Sequence, residues 1–397
     1  MKKLITLLGF CVAAICTYAQ TFKYDGITYS ILSEANKTCE VAGNQNVSGA
    51  ITIPESVSYN NNQYSVTSIG EEAFIECTGI TSFSLPGSLT SIGNGAFKQC
   101  IGITSINIPE GITSIGDFTF KECISLTSIT LPESLTSIGE EAFSSCLSLS
   151  SVTLPKSLTS IGNWAFNNCE ELSSITLPDG LTSIGNGAFY YCASLTSIIL
   201  PENVTSIGNS AFTLCTSLTS INLPKNLTSI EDWLFSNCYS LDSITLPEGI
   251  SSIGMIAFRE CKSLTSITLP AALGSIGDYG FAFCNELKTV NSYAINPPIC
   301  QDNTVFSEIP SEAVLHVPVG SKEAYASATG WSVFTTIVDD LSKDSGVEEI
   351  GKGSNHADDI IKVYDLQGCK INVSHRNELL SLPSGIYIVN GKKLILK

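Results

Sequence analysis

The chain has 397 residues, of which 43% are hydrophobic and only 14% charged, and its formal net charge is −17. Such a composition, with Gly, Ser and Thr abundant, suits many short buried strands separated by turns. It excludes nucleic acid as a partner, because phosphate binding needs clustered cations and the only arginines are Arg259 and Arg376.

Residues 1–19 read as a secretory signal peptide. Lys2 and Lys3 precede an apolar run from Leu4 to Ile15, and Thr17-Tyr18-Ala19 supplies a cleavage site before Gln20. The apolar run is too short for a membrane anchor, which takes roughly 20 residues as a helix. Lipidation at Cys16 is the alternative, and Ile15 beside it is a poor neighbour. Cleavage would remove two lysines and deepen the negative charge. No later segment is apolar enough to cross a membrane, so the mature chain is expected to be exported, then soluble or attached from outside.

Beyond residues 20–65 a repeat dominates. Phe recurs at 74, 97, 120, 143, 166, 189, 212, 235, 258 and 281, every 23 residues, and Cys follows three residues later each time, from Cys77 to Cys284. Proline keeps the same period from Pro86 to Pro270. A representative unit, Leu126–Ser148, reads LTSITLPESLTSIGEEAFSSCLS. Ile129 and Leu131 alternate with Ser128 and Thr130, the period of a strand with one buried face, and Pro132 ends it for want of an N–H. A second extended piece, Leu135 to Ile138, turns at Gly139. Ala142, Phe143 and Cys146 then follow at helical spacing, which predicts one inward-facing helical turn. A 23-residue unit cannot enclose a core, so coils must stack and bury shared columns of Leu, Ile, Phe and Cys. At about 4.8 Å per strand, ten coils make a rod about 50 Å long.

The pattern LxxIxLPxxLTSIGxxAFxxCxxL, over residues 66–291, resembles the surface leucine-rich repeats of the BspA type found in host-associated bacteria. The resemblance implies a β-rich leucine-rich-repeat solenoid capped at both ends; a small C-terminal β module, read from the tail below, is expected beyond it. Upstream, residues 20–65 resemble the family's N-terminal cap and first coil, interrupted by an Asn-rich excursion around Asn60 to Gln63. Downstream, residues 292–340 resemble its closing element. Ser321 is expected to cap a helix over KEAYASA, and Trp331 and Phe334 to cover the last open coil, since bare solenoid ends aggregate.

Ten of the fifteen cysteines share one column. Stacked Cα atoms about 4.8 Å apart lie inside the disulfide range, yet parallel side chains hold Cβ atoms as far apart, beyond the usual value of roughly 3.8 Å. The column is therefore expected to hold packed thiols acting as small apolar filler, and a linear ladder cannot supply a zinc tetrahedron. Cys39, Cys300 and Cys369 lie outside it, their pairing open.

Residues 341–359 are charged and rich in Gly and Ser, as a linker is. Residues 360–397 alternate apolar and polar side chains, with Asn390-Gly391 a hairpin turn. This tail, in its VYDLQG, its LPSGIYI and its NGKK ending, resembles the C-terminal sorting domains by which Bacteroidetes proteins reach the outer surface. The alternative is a small accessory β domain.

A catalytic centre needs reactive groups gathered at one point. The histidines, His316, His356 and His375, all lie outside the repeats, and no HExxH, GxSxG, phosphate loop or EF-hand spacing occurs. Carboxylates recur after the glycine turn, at Glu71, Glu72, Asp117, Glu140, Glu141, Asp232 and Asp278, and read as a solvated acidic edge. No catalytic residue, cofactor or metal is therefore expected.

Two exposed surfaces are candidates for binding. One is the open face of the main strands, with Ser128, Thr130, Ser151, Thr153, Ser174 and Thr176, whose hydroxyls could bond a protein or glycan or merely suit a strand surface. The other is a variable position two residues before the repeat Phe, which holds Phe118, Trp164, Trp233, Ile256 and Tyr279 where other coils have Gly, Ser or Glu. Exposed aromatics are common interface anchors, though they also shield neighbours. The expected function is that of a cell-surface or secreted binding protein, an adhesin for host extracellular or surface proteins, glycans or other bacteria. The alternatives are a structural envelope protein that binds nothing and, third, a hydrolase with its site in the non-repeat regions. Oligomeric state is left open.

Overall fold

The computed structural model describes residues 20–342 and four short strands beyond them, Val363–Tyr364, Lys370–Ile371, Gly385–Val389 and Lys392–Leu396. The expected signal peptide, nearly all of the expected linker, and Cys369, His356 and His375 lie outside the described residues. The last two strands pair antiparallel with Val389 opposite Lys392, the register that an Asn390-Gly391 turn requires.

Residues 20–342 wind into a solenoid of about 13 turns. Each coil has three sides. Ser128–Thr130 forms the first, with Ile129 buried between two exposed residues. It lies parallel to Ser105–Asn107, with Ile129 on Ile106, so that equivalent residues stand one above another. The second side is Ser137–Ile138, part of a sheet running from Ser114–Ile115 to Ser206–Ile207, again Ser on Ser and Ile on Ile. A one-residue slip would turn every side chain to the opposite face, so an unbroken period of 23 enforces the register.

The third side departs from the expected helical turn. Glu141 and Ser145, flanking Phe143, have φ of 49° and 59°. The N–H groups of Glu141, Phe143 and Ser145 leave the coil and donate to the carbonyls of Asn163, Ala165 and Asn167 in the next. A helix would keep those donors within its own chain. Stacking claims them instead, and the left-handed residues turn the peptides outward along the rod while Ala142, Phe143 and Cys146 still face inward. Each accepting carbonyl shares a peptide unit with the next donor, because Trp164, Phe166 and Asn168 pass bonds on to the following coil. Three chains of amides thus run head to tail through the stack, a polarised arrangement in which each bond strengthens its neighbours.

The core is a set of columns. Phe74 to Phe281 are buried and stacked, and Phe306 extends the column after a step of 25 residues, with successive ring centroids 5.1–5.9 Å apart. Beside it, each thiol from Cys100 to Cys284 donates to the carbonyl of the Phe one coil back, at 3.1–3.3 Å. That contact uses the thiol as a donor, which alanine could not do. Burial pushes the Cys169, Cys215 and Cys284 thiols up to about 12 and those of Cys146, Cys192, Cys238 and Cys261 well above their ordinary range.

Both ends are closed. Upstream, Thr21–Tyr24, Ile27–Ser33 and Thr38–Val41 form an antiparallel run, and the Asn-rich excursion is a hairpin of Ser56–Tyr59 with Asn62–Ile69. Its turn residues Asn60 and Asn61 have positive φ, as a two-residue turn demands. Downstream, Val314–Pro318 and Thr336–Leu341 continue the parallel main sheet beyond Thr289–Ser292, so the closing element extends the solenoid as well as covering it. Phe306 packs against Trp331 and Phe334, both buried. Ser321 stands at the N-cap of helix Lys322–Ser327, yet its hydroxyl makes no cap bond. It is buried, and the six-residue helix is held by Tyr325, whose hydroxyl bonds Ser292 and the Ala294 carbonyl.

Candidate binding surface

The two candidate surfaces lie on different sides of the coil. On the main-strand side, Ser128, Thr130, Ser151, Thr153, Ser174 and Thr176 are all exposed, and none of their hydroxyls bonds to a partner among the described residues. Other hydroxyls that resemble them in sequence are committed. Those of Thr136, Thr159 and Thr182 donate to the carbonyl of the threonine one coil back, about 3 Å away. Periodicity alone does not separate these two classes.

The variable position two residues before Phe has a backbone rule. From Glu72 to Tyr279 its φ runs from 49° to 62° in all ten coils, the left-handed region that favours glycine. Gly95 and Gly187 obey that preference, whereas Phe118, Trp164, Trp233, Ile256 and Tyr279 do not. Their surroundings differ. Lys98 and Lys121 ammonium groups lie 6.0 and 5.5 Å from the Phe118 ring centre. The Trp164 indole rests on Gly187, where an added Cβ would fall 2.3 Å from the ring, and meets Tyr190 with centroids 5.4 Å apart. Trp233 and Tyr279 are 38% and 40% exposed, with Ile256 half-buried on the coil between them. The structure therefore gathers three of the five residues on consecutive coils and leaves Phe118 and Trp164 packed within their own neighbourhoods. Met255, 40% exposed beside Ile256, joins the group; its place in a column of Asn, Asp and Glu was the available sign.

The acidic edge has a structural share. Asn94 accepts the Asp117 N–H, Asp117 that of Glu140, Asn163 that of Asn186, Asn186 that of Asn209 and Asp232 that of Met255. Only side chains with an acceptor one carbon beyond Cβ can do this, which is why the column is rich in Asn and Asp.

Next to that ladder runs a glycine column. A Cβ at Gly162, Gly185 or Gly208 would fall 2.4–2.6 Å from backbone atoms of the preceding coil. Glu231 stands in this column. The second sheet ends at Ser206–Ile207 and restarts at Ser229–Ile230. The bonds made one coil earlier, from Gly208 N–H to the Ile184 carbonyl and from Asn209 N–H to Asn186, have no counterpart at Glu231 and Asp232 among the described residues. The sheet also breaks between Ser91–Ile92 and Ser114–Ile115, but there Asp117 keeps its bond to Asn94. A shallow groove floored by Gly162, Gly185 and Gly208 and lined by Ser183, Ser206, Asn186 and Asn209 reaches Glu231.

Among the described residues, no three His, Cys, Asp or Glu side chains are grouped to hold a metal, and no helix is long and apolar enough to cross a membrane. His316 pairs with Asp340 at 2.9 Å on the closing element.

Stacked parallel strands with a Leu/Ile/Phe core, a Cys–carbonyl ladder and closed ends define a leucine-rich-repeat solenoid. Residues 54–169 and 182–307 match the BspA type leucine-rich repeat region in six copies, and the chain belongs to that family. No curated protein matches the sequence. Among solved structures, a leucine-rich cell surface protein from Faecalibacterium prausnitzii is 25% identical, with 82% of this chain and 98% of that one covered and a TM-score of 0.51. A leucine-rich repeat protein from Bacteroides ovatus is 28% identical over 81% of this chain and 99% of that one, with a TM-score of 0.46.

Proposed function

We propose that the chain is a surface-displayed or secreted recognition protein, an adhesin that binds host extracellular or surface proteins, glycans or other bacteria through the solenoid. The observation that carries this reading is the division of labour within the coil. Apart from the exposed Ser and Thr of the main strands, the residues that recur from coil to coil are mostly buried or bonded to a neighbouring coil, and the position two residues before Phe varies on a fixed left-handed backbone. A frame of that kind presents different side chains at constant spacing, as binding solenoids do. Membership of the BspA type family and the likeness to a leucine-rich cell surface protein support the location. Under this reading the leader directs export and residues 360–397 direct attachment to the outer surface.

The mature chain, residues 20–397, should bind saturably to at least one member of a panel of immobilised extracellular-matrix proteins, glycans and whole bacteria. Absence of saturable binding across the panel would instead favour a structural envelope protein.

A further inference from the structure

The strip beside the Phe column changes character at Glu231. Before it, the coils of Phe166, Phe189 and Phe212 offer the polar groove floored by glycine. After it come Trp233, Met255, Ile256 and Tyr279 on three successive coils, most of them well exposed. Neither the Trp233 nor the Tyr279 ring has an aromatic or cationic neighbour among the described residues, unlike Phe118 and Trp164. Trp233, Ile256 and Tyr279 all carry φ of 58–62°, and a β-branched or bulky residue there is a true outlier. The left-handed φ itself is common to all ten coils and serves the inter-coil bonds, as from the Trp233 N–H to the Met255 carbonyl and the Ile256 N–H to the Asp278 carbonyl; large side chains placed there at added strain, without an aromatic or cationic partner in the fold, point to an external use. The same coil bears the Glu231 dislocation, so two costly departures from the repeat coincide.

The chemistry of the strip selects its occupant. Glu231, Asp232 and Asp278 flank the apolar residues, and none has a cationic partner among the described residues. Glu231 already accepts from the Ser229 hydroxyl through one oxygen and Asp232 from the Met255 N–H; the remaining carboxylate oxygens accept hydrogen bonds and donate none, so they call for cations or N–H donors. The net charge of −17 draws such a partner in. Met255 and Ile256 give no flat face for a sugar ring, but they do suit aliphatic and aromatic side chains. We infer that the strip holds an extended segment of a partner protein, with a lysine or arginine against Glu231 and Asp232 and apolar side chains over Trp233, Met255, Ile256 and Tyr279. Glu231 and Tyr279 are two coil steps apart, about 10 Å, the reach of roughly three extended residues. This rests on the reading of the chain as a binding protein and names the partner's chemistry at one place on it.

The test uses the mature chain and an array of synthetic peptides in which lysine, glutamate or serine is combined with leucine or phenylalanine, alongside a neutral glycan array. Glu231→Gly restores the glycine column, and the double variant Trp233→Gly, Tyr279→Gly relieves the left-handed positions. Both variants should melt no lower than the native chain, while lysine-and-apolar peptides bind each at least tenfold more weakly. Met255 is the single methionine after Met1, so its oxidation by peroxide, read by mass spectrometry, should slow when peptide is bound. Equal binding by the variants, a preference for glutamate peptides, or binding of neutral glycans alone would overturn the inference. If no peptide binds but the panel of host proteins and bacteria still yields a saturable partner, the strip is refuted and the recognition role stands. If nothing binds in either test, both fall.

Discussion

Raising the pH should melt this rod through its cysteine column. In the folded chain Cys100, Cys169, Cys215 and Cys284 are pushed up to about 12 by burial, and Cys123, Cys146, Cys192, Cys238 and Cys261 are raised well above the ordinary thiol value of 9.0. The unfolded chain has no such protection. At pH 10 its thiols are mostly ionised while the folded ones keep their protons, so the unfolded state binds fewer protons and stability falls as pH rises. The contribution is whole below about pH 9 and declines from there toward pH 12. At pH 10 each opened coil gains about 1 kcal/mol from thiolate formation, on the order of 10 kcal/mol for nine coils. That is comparable with the entire stability of an ordinary domain. Urea titrations followed by circular dichroism at pH 7.5, 9 and 10 should show the midpoint falling steeply above pH 9. Replacing Cys146, Cys169 and Cys192 by alanine should weaken the pH dependence by about three protons. A midpoint that holds between pH 7.5 and 10, or a slope that survives the triple replacement, would show that the thiols do not set it.

Three further outcomes follow from single contacts. Gly162→Ala places a Cβ 2.6 Å from the Gly139 carbonyl carbon and oxygen; backbone cannot yield as a side chain can, so a loss of about 1–3 kcal/mol or more is expected, with faster amide exchange at Gly162. Phe166→Ala removes a buried ring stacked 5.2 Å from Phe143 and 5.5 Å from Phe189 and should cost about 3–5 kcal/mol. Since coils couple only to neighbours, calorimetry should then resolve two transitions where the native rod shows one. Gly187→Ala displaces the Trp164 indole from its shelf and adds a left-handed alanine, costing about 1–2 kcal/mol and shifting tryptophan emission to the red; unchanged emission would refute the contact.

Much of the fold was legible in the sequence because one period governs it. The strands at Ser128–Thr130 and Ser137–Ile138, the buried Phe and Cys columns and the covering role of Trp331 all follow from alternation, spacing and the need to close a stack. The third side of the coil did not, for a physical reason. Inward residues at intervals of three look alike whether donors bond within the chain or to the next coil, and only the positive φ at positions such as Glu141 and Ser145 distinguishes them. Gly95 and Gly187 were the one hint. Ser321 stands at the N-cap where it was expected, but that its hydroxyl makes no cap bond could not be read from a serine before a helix. At the candidate surface, the variable column was visible as variation, but which of its members are free was not. That depends on neighbours within the coil and on the next one, as Lys121, three residues on, lies by Phe118 and Gly187, 23 residues on, lies under Trp164.

The Glu231 dislocation shows why a solenoid can carry such a site. In a globular core, a side chain forced against backbone disturbs a shared interior, and the whole fold bears the loss. Here each coil answers only to the coils beside it. The pairings absent at Glu231 and Asp232 forgo about 0.5–1.5 kcal/mol per hydrogen bond, and left-handed Trp233, Ile256 and Tyr279 add about 1–2 kcal/mol each. Those losses stay local, because Phe212, Phe235 and Phe258 remain stacked at 5.8 and 5.4 Å through the same rungs, and Cys238 still donates to the Phe212 carbonyl. The interior columns hold the rod together while one edge opens. Selection for fold alone would return Glu231 to glycine, as at Gly208 before it and Gly254 after it. A more stable Glu231→Gly chain that has lost its partner would therefore show that the carboxylate is kept for what lies outside the coil.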